Sequence, residues 1–240
     1  MKIVIVMITK DRTAVGRKNY FSSTMESFEY SGLFCSHTPF EFHVFDGGSL
    51  SFSFLSPWDK HPALSIHKTL EACPPNENAG RALAFGGGLV GVDWVVFIED
   101  DIEVCFNFLD GVSQWLCHYE SNQYKLFTFY TPYREVEECY SRKVPVWYYP
   151  IQFFYGTQAF ALRSEDAYSL GEFLIHLPSP TSSYDLAIKQ WAYENSSSNY
   201  FLASVPCFCQ HVGKESLLFT DPARFHQCGS YLGRDWQFKL

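Results

Sequence analysis

Residues Trp94 to Val104, WVVFIEDDIEV, constrain what this chain can fold into more than any other stretch. Trp94 to Ile98 is a β-branched and aromatic run of the kind that fills a strand buried on both faces. It leads directly into three carboxylates, Glu99, Asp100 and Asp101. Acids clustered at the end of a buried strand repel one another and lose hydration, so the arrangement calls for a positive group. A divalent cation at the carboxyl end of a parallel strand meets that need. The plainer alternative is an ordinary strand followed by a solvated acidic turn, and the rest of the sequence must decide between the two.

The neighbouring patterns are those of an α/β chain. Ile3 to Ile8 is a near-continuous apolar run that ends at Thr9, Lys10, Asp11 and Arg12, and Phe40 to Phe45 is a second strand closed by Asp46, Gly47, Gly48 and Ser49. Helical spacing is expected over Arg17 to Tyr30, part of Ala79 to Gly91, Phe106 to Tyr119, and Ser164 to Leu177 with Ser164 as N-cap, then over Tyr184 to Glu194. Further strands are expected at Leu126 to Tyr130, Phe153 to Leu162 and Tyr200 to His211. Leu50 to Pro75 and Tyr133 to Tyr149 read as loops. Strands alternating with helices predict one α/β domain over residues 1–240 with a mainly parallel sheet.

Composition narrows the functional classes. A net charge of −8 argues against non-specific binding to nucleic acid, although a local basic patch is compatible with it. Aromatic residues make up 18% of the chain, enough to line a binding cleft as well as the core. Only six residues separate Lys2 from Thr9, so the amino terminus reads as a first strand and not as a signal peptide. No apolar run approaches the roughly 18 residues of a membrane span. A cytoplasmic protein is expected, in the host cytoplasm if the chain is viral. The eight cysteines show no CxxC spacing, which favours buried free thiols over a disulfide framework.

Three strand ends therefore carry polar residues, and in an open parallel sheet such ends converge on one ligand crevice. In their order, Thr9 with Arg12, Asp46, and Glu99-Asp100-Asp101 resemble nucleotide-sugar glycosyltransferases of the GT-A (Rossmann-like) fold, a mostly parallel sheet flanked by helices. Asn78-Ala79-Gly80-Arg81 looks like that family's nucleotide-contacting turn, and Tyr155-Gly156-Thr157-Gln158-Ala159 like its donor-sugar and acceptor strand. PCFCQHVGKESL, from Pro206 to Leu217, is similar to a carboxy-terminal segment of N-acetylglucosaminyltransferase-like members with Q-H-x-G-x-x-S. Small viral and bacterial members, including DNA-modifying ones, belong to the same comparison.

The resemblance implies a UDP-sugar donor and Mn²⁺ or Mg²⁺, with residues 1–105 as a nucleotide-binding half and 106–240 as an acceptor-binding half. It implies Asp101 as direct metal ligand with His211 completing the shell, Asp100 on ribose or metal, and Glu99 acting through water. Thr9, Arg12, Asp46, Asn78, Arg81, Gly156 and Gln158 would contact the donor. Lys10 and Arg81 are candidates for phosphate or base contacts, and equally for solvated surface cations. For His211 a structural role at a strand end is the competing reading, as is a soft-metal site with Cys207 and Cys209 on one strand face, which lacks a fourth ligand. Asp185, in SSYDLAIKQW, is either a helix first-turn acid favoured by the dipole or the general base of an inverting transfer.

The acceptor is expected at Tyr133 to Tyr149, where Tyr133, Tyr140, Trp147, Tyr148 and Tyr149 interleave with Arg134, Arg142 and Lys143. Aromatics stack on sugars and on unpaired bases alike. A glycan or small hydroxyl compound, a hydroxymethylated pyrimidine in DNA, and a plain aromatic covering loop all fit. The expected activity is hexosyl or N-acetylhexosaminyl transfer, more readily inverting than retaining. A non-catalytic nucleotide- or carbohydrate-binding module is the alternative from another class. A nucleotidyltransferase would need a Gly-rich phosphate loop after the first strand, and Thr9 to Gly16 holds one glycine.

Overall fold

A computed structural model describes residues 1–177, 184–214 and 227–238. In chain order the strands are β1 (Ile3–Thr9), β2 (Phe40–Asp46), β3 (Leu64–His67), β4 (Trp94–Glu99), β5 (Ile102–Val104), β6 (Phe127–Thr128), β7 (Val146–Pro150), β8 (Ala159–Arg163), β9 (Tyr200–Ser204) and β10 (Cys209–His211). The helices are α1 (Phe21–Tyr30), α2 (Pro75–Gly88), α3 (Phe108–Tyr119), α4 (Arg134–Ser141), α5 (Ser164–Ile175) and α6 (Asp185–Asn195).

Eight strands form one sheet in the order β3-β2-β1-β4-β8-β6-β9-β7. β1 pairs in parallel with β2 and β4, and β2 with β3. The sheet turns antiparallel where β8 joins β4, from Ile98 opposite Ala159 to Trp94 opposite Arg163. β8 and β6 are antiparallel, β6 and β9 parallel, and β9 and β7 antiparallel.

Alternation along β1 explains the layers, because successive side chains of a strand face opposite sides. Ile3, Ile5 and Met7 join a core with Phe21, Met25 and Phe28 of α1 and Phe108, Val112 and Trp115 of α3. Val4 and Val6 join the opposite core with Ala82 and Leu83 of α2, Leu170 and Leu174 of α5, and Ile188 and Trp191 of α6. The result is a three-layer α/β sandwich with a mostly parallel sheet. α2 and α5 meet almost backbone to backbone. A Cβ on Gly80 would lie 2.8 Å from the Gly171 carbonyl oxygen, and one on Gly171 would lie 2.8 Å from Ala84 Cα.

Several elements differ from expectation. The segment 133–149 is not a loop: it folds into α4 and β7, and β7 closes one edge of the sheet. The stretch 50–75 contains β3, whose short apolar run is masked by prolines in the sequence. α2 begins four residues before Ala79, with Pro75 in its first turn, where a missing N–H costs nothing. Its glycines stay helical because Gly86 packs on Val95 and Val6. α1 and α3 start later than expected, at Phe21 and Phe108. β6 keeps only two residues, and β8 starts at Ala159, after a 3₁₀ turn at Ile151–Phe153. Arg163, not Ser164, is the N-cap of α5.

The expected last strand breaks at Ser204, ahead of a cis Val205–Pro206 bond. Its remainder, β10, leaves the main sheet and pairs antiparallel with β5, His211 opposite Ile102. Cys207 therefore does not share a strand face with Cys209 and His211. All eight cysteines are free, with Cys105, Cys207, Cys209 and Cys228 buried. Among the described residues, no helix is long and apolar enough to cross a membrane.

Candidate functional site

The parallel register levels the strand ends: Thr9 lies opposite Asp46, and Ile8 opposite Glu99. The chain then turns at Asp100 and Asp101 into β5, and this turn is held from below by α1. Thr24 Oγ1 lies 2.8 Å from the Asp100 carbonyl and 2.9 Å from that of Ile102, and it accepts the Ile102 amide at 3.1 Å. Ser27 Oγ accepts the Val104 amide at 2.9 Å. Nothing in the sequence around Thr24 and Ser27 announces that role, because each partner is more than seventy residues away.

The acids are not solvated. Asp100 and Asp101 are buried, and the positive group they require is Arg12. Its guanidinium reaches Asp100 through Nη2 and Asp101 Oδ2 through Nη1 at 3.2 Å, forking across both carboxylates. Thr9 Oγ1 donates to Asp100 at 2.6 Å. His211 Nε2 stands 3.3 Å from Asp101 Oδ2, delivered there by the pairing of β10 with β5. Burial alone would raise the pKa of Asp101, but the bond and charge of His211 and the charge of Arg12 outweigh it and hold the group at about 2. A Cβ on Gly213 would lie 2.9 Å from Asp101 Cγ, so only glycine lets the chain after β10 pass this carboxylate.

A cavity of about 270 Å³ opens over these groups, lined by Thr9, Lys10, Arg12, Gly47, Asn78, Glu99, Asp100, Asp101 and Tyr184 among others. Asn78 faces it from α2, with Nδ2 donating to the Phe45 carbonyl at 3.1 Å. Asp46 does not line it. Its carboxylate is buried in its own turn, accepting the amides of Gly48 at 3.0 Å and Ser49 at 2.9 Å and the Ser49 hydroxyl. Ser49 Oγ in turn accepts the Asp11 amide at 2.7 Å, so Asp46 shapes the rim, with both carboxylate oxygens engaged in its own turn. Arg81 is exposed one turn beyond Asn78 and does not itself line the cavity, but its side chain meets Cys73, which does, and its charge also reaches His67.

The opposite wall comes from the second half of the chain. Glu99 accepts Thr157 Oγ1 at 2.6 Å, Gln158 Nε2 at 3.4 Å and the Tyr184 hydroxyl. Burial, then the charge of Asp101, raises the pKa of Glu99 to about 7. Asp185 follows Tyr184 at the first residue of α6, and its carboxylate meets the Thr157 side chain and the Gly156 amide. Burial raises its pKa to about 6, against the opposing pull of Thr157 and Lys189. Gly156 has φ +102°, and a Cβ there would lie 2.9 Å from Tyr130 Cε1. Glu215, Ser216 and Leu217 of the carboxy-terminal motif, with Ser182 and Ser183 before Asp185, lie outside the described residues.

Among the described residues, no three His, Cys, Asp or Glu side chains are grouped to hold a metal ion. Asp101 and His211 remain adjacent donors, and Asp101 Oδ1 is buried without a hydrogen-bond partner. The Asp101 carboxylate suits an ion whose other ligands are phosphate oxygens and water, the usual mode for Mg²⁺, and the His211 imidazole adds a nitrogen ligand that other divalent metals favour more than Mg²⁺ does. The donor set fits a divalent cation shared with a diphosphate.

No protein-family model matches the chain, and no curated protein sequence does. Solved structures do match its fold. Residues 1–349 of S. aureus TarS in complex with UDP-GlcNAc align with a TM-score of 0.55 at 14% identity, over 85% of this chain and 58% of that one. The same fragment in complex with UDP gives a TM-score of 0.54 at 14% identity, over 85% and 60%. The chain thus spans about three fifths of the length of those fragments. At this identity the likeness concerns the fold, which is the GT-A-type α/β fold expected from the strand-end pattern.

Proposed function

We propose that the chain is a metal-dependent glycosyltransferase that moves a hexosyl or N-acetylhexosaminyl group from a UDP-sugar to an acceptor hydroxyl, with inversion. The observation that carries this reading is Glu99. It ties the acidic turn of β4, where a diphosphate and cation belong, to Thr157, Gln158 and Tyr184, beside a carboxylate of near-neutral pKa. That TarS, a protein of the same fold, has been crystallised with UDP-GlcNAc adds support.

Roles follow from position. Thr9, Lys10 and Asn78 line the cavity at its proposed nucleotide end. Gln158, bonded to the lining residue Glu99, and the nearby Gly156 would stand toward the sugar. Arg12 keeps Asp100 and Asp101 together as a paired wall. Mn²⁺ or Mg²⁺ held by Asp101 and His211 would neutralise the charge that develops on the departing diphosphate. Asp185 takes the acceptor proton, a task suited to a base whose pKa lies near the working pH.

The test is UDP release and product mass spectrometry over a panel of UDP-sugars with Mn²⁺. Asp185→Asn should keep UDP affinity and lose about 10²- to 10⁴-fold in turnover, the usual worth of a general base. Full activity in Asp101→Ala would refute the metal assignment. Nucleotide binding without turnover of any sugar would leave a binding module in place of an enzyme.

A further inference from the structure

The loop from β7 to β8 has a rigid backbone and outward-facing rings. Tyr133 donates to the Phe153 carbonyl at 2.8 Å. The buried Tyr149 hydroxyl lies 3.0 Å from the carbonyls of both Phe153 and Tyr155 and accepts the Tyr155 amide at 2.7 Å. On this clamped backbone Phe153 is 53% exposed and Tyr155 37%, while Leu186, next to Asp185, is 65% exposed. A single exposed apolar side chain needs no explanation, but these three are carried on backbone beside one carboxylate, since the charge of Asp185 reaches Tyr133 and Tyr149, whose hydroxyls hold the Phe153 carbonyl. Tyr155 directly precedes Gly156, whose amide meets Asp185.

Charge around this mouth is sparse and mixed in sign, with Lys189 and Arg134 beside Asp185 and Glu135. Asp185 and Glu135 both act on Tyr133, and Lys189 stands 3.4 Å from the Gln152 carbonyl. Of the three cations that interleave with the aromatics of 133–149, Arg134 opens α4 next to Tyr133, while Arg142 and Lys143 follow that helix, which also carries Glu135, Glu137 and Glu138. A polyanionic acceptor needs a cationic track. None is built beside Asp185 among the described residues.

Resting on the transfer chemistry proposed above, we propose that the acceptor is an uncharged sugar whose ring lies on Phe153 and Tyr155 and whose hydroxyl meets Asp185. Rigid aromatic faces with one convergent polar group are how concave sites hold and orient a small ring. The acceptor hydroxyl gives its proton to the Asp185 carboxylate, and its oxygen forms the new bond to the anomeric carbon. The bond from that carbon to the diphosphate oxygen breaks, and its electron pair leaves on UDP.

The experiment measures UDP release from a UDP-sugar panel with Mn²⁺, alone, with methyl pyranosides, and with a single-stranded oligonucleotide containing 5-hydroxymethylcytosine. A methyl pyranoside is expected to stimulate release and to appear as a disaccharide product, and the oligonucleotide to do neither. Phe153→Ala should raise the acceptor KM about tenfold with kcat and UDP affinity little changed, and Phe153→Trp should restore the KM. Modification of the oligonucleotide, or an acceptor KM unmoved in Phe153→Ala, overturns the proposal. So does donor hydrolysis that no sugar stimulates, which leaves the donor chemistry standing. Absence of UDP release from every donor in every arm overturns the transfer reading itself.

Discussion

Asp185 is the residue whose chemistry depends most on its surroundings. A first-turn acid on an exposed helix would be ionised at any physiological pH, but here burial brings its pKa to about 6. The base form is the ionised one, so turnover should fall about tenfold per pH unit below 6 and level off above it. A kcat profile from pH 5 to 8 reads this directly, and the acid limb should vanish from the residual activity of Asp185→Asn. Asp46 makes the opposite case. Both of its oxygens serve its own turn, so Asp46→Ala should cost about 1–3 kcal/mol of stability through the amides it leaves unpaired. UDP affinity per folded molecule should change much less, and a urea titration beside calorimetry of UDP binding separates the two effects. A strand-end Asp followed by Gly-Gly-Ser is legible in sequence as a turn. Whether its carboxylate faces the ligand or its own amides depends on the turn's backbone geometry, which residue type alone does not fix.

At the scale of elements, the acidic turn is held by two contacts with no sequence pattern. Thr24→Val keeps the shape of α1 but removes the only described side chain that bonds the Asp100–Ile102 backbone. The buried Ile102 amide is then unmet, and a loss of about 1–3 kcal/mol is expected by chemical denaturation. Gly213→Ala places a methyl against Asp101 and should force β10 from β5 or Asp101 from His211. Its signature is weakened Mn²⁺-dependent UDP binding together with a lowered Tm. β1, β2 and β4 were legible because strands buried on both faces are nearly unbroken apolar runs. α4 and β7 were not, although Val136, Cys139 and Tyr140 carry a helical spacing. The aromatics and cations that crowd 133–149 hide it, and Trp147 and Tyr148 break a two-residue alternation because β7 lies at the sheet edge.

Across the whole molecule the site is a joint product of distant segments. Thr9, Arg12 and Asn78 come from the first hundred residues, and Tyr184, Asp185 and His211 from the last sixty, yet all meet where β4 ends. What joins them is the insertion of β8 between β4 and β6. That places hydrogen bonds of one continuous sheet across residue 105, the boundary between the two expected halves. Trp94 and Trp115 sit in the core beneath α1 and α3, and Trp191 sits in the core beneath α2, α5 and α6. Both cores share β1 and β4, so neither can lose its packing while the other keeps a sheet to pack on. Although the chain is longer than most two-state folders, urea should therefore unfold it in one transition. Tryptophan emission, which samples both cores, should have the same midpoint as far-UV circular dichroism, which follows the backbone. Two resolved midpoints would mean that the sheet parts at the β4–β8 seam, and that the donor wall can form without the residues proposed to carry the acceptor.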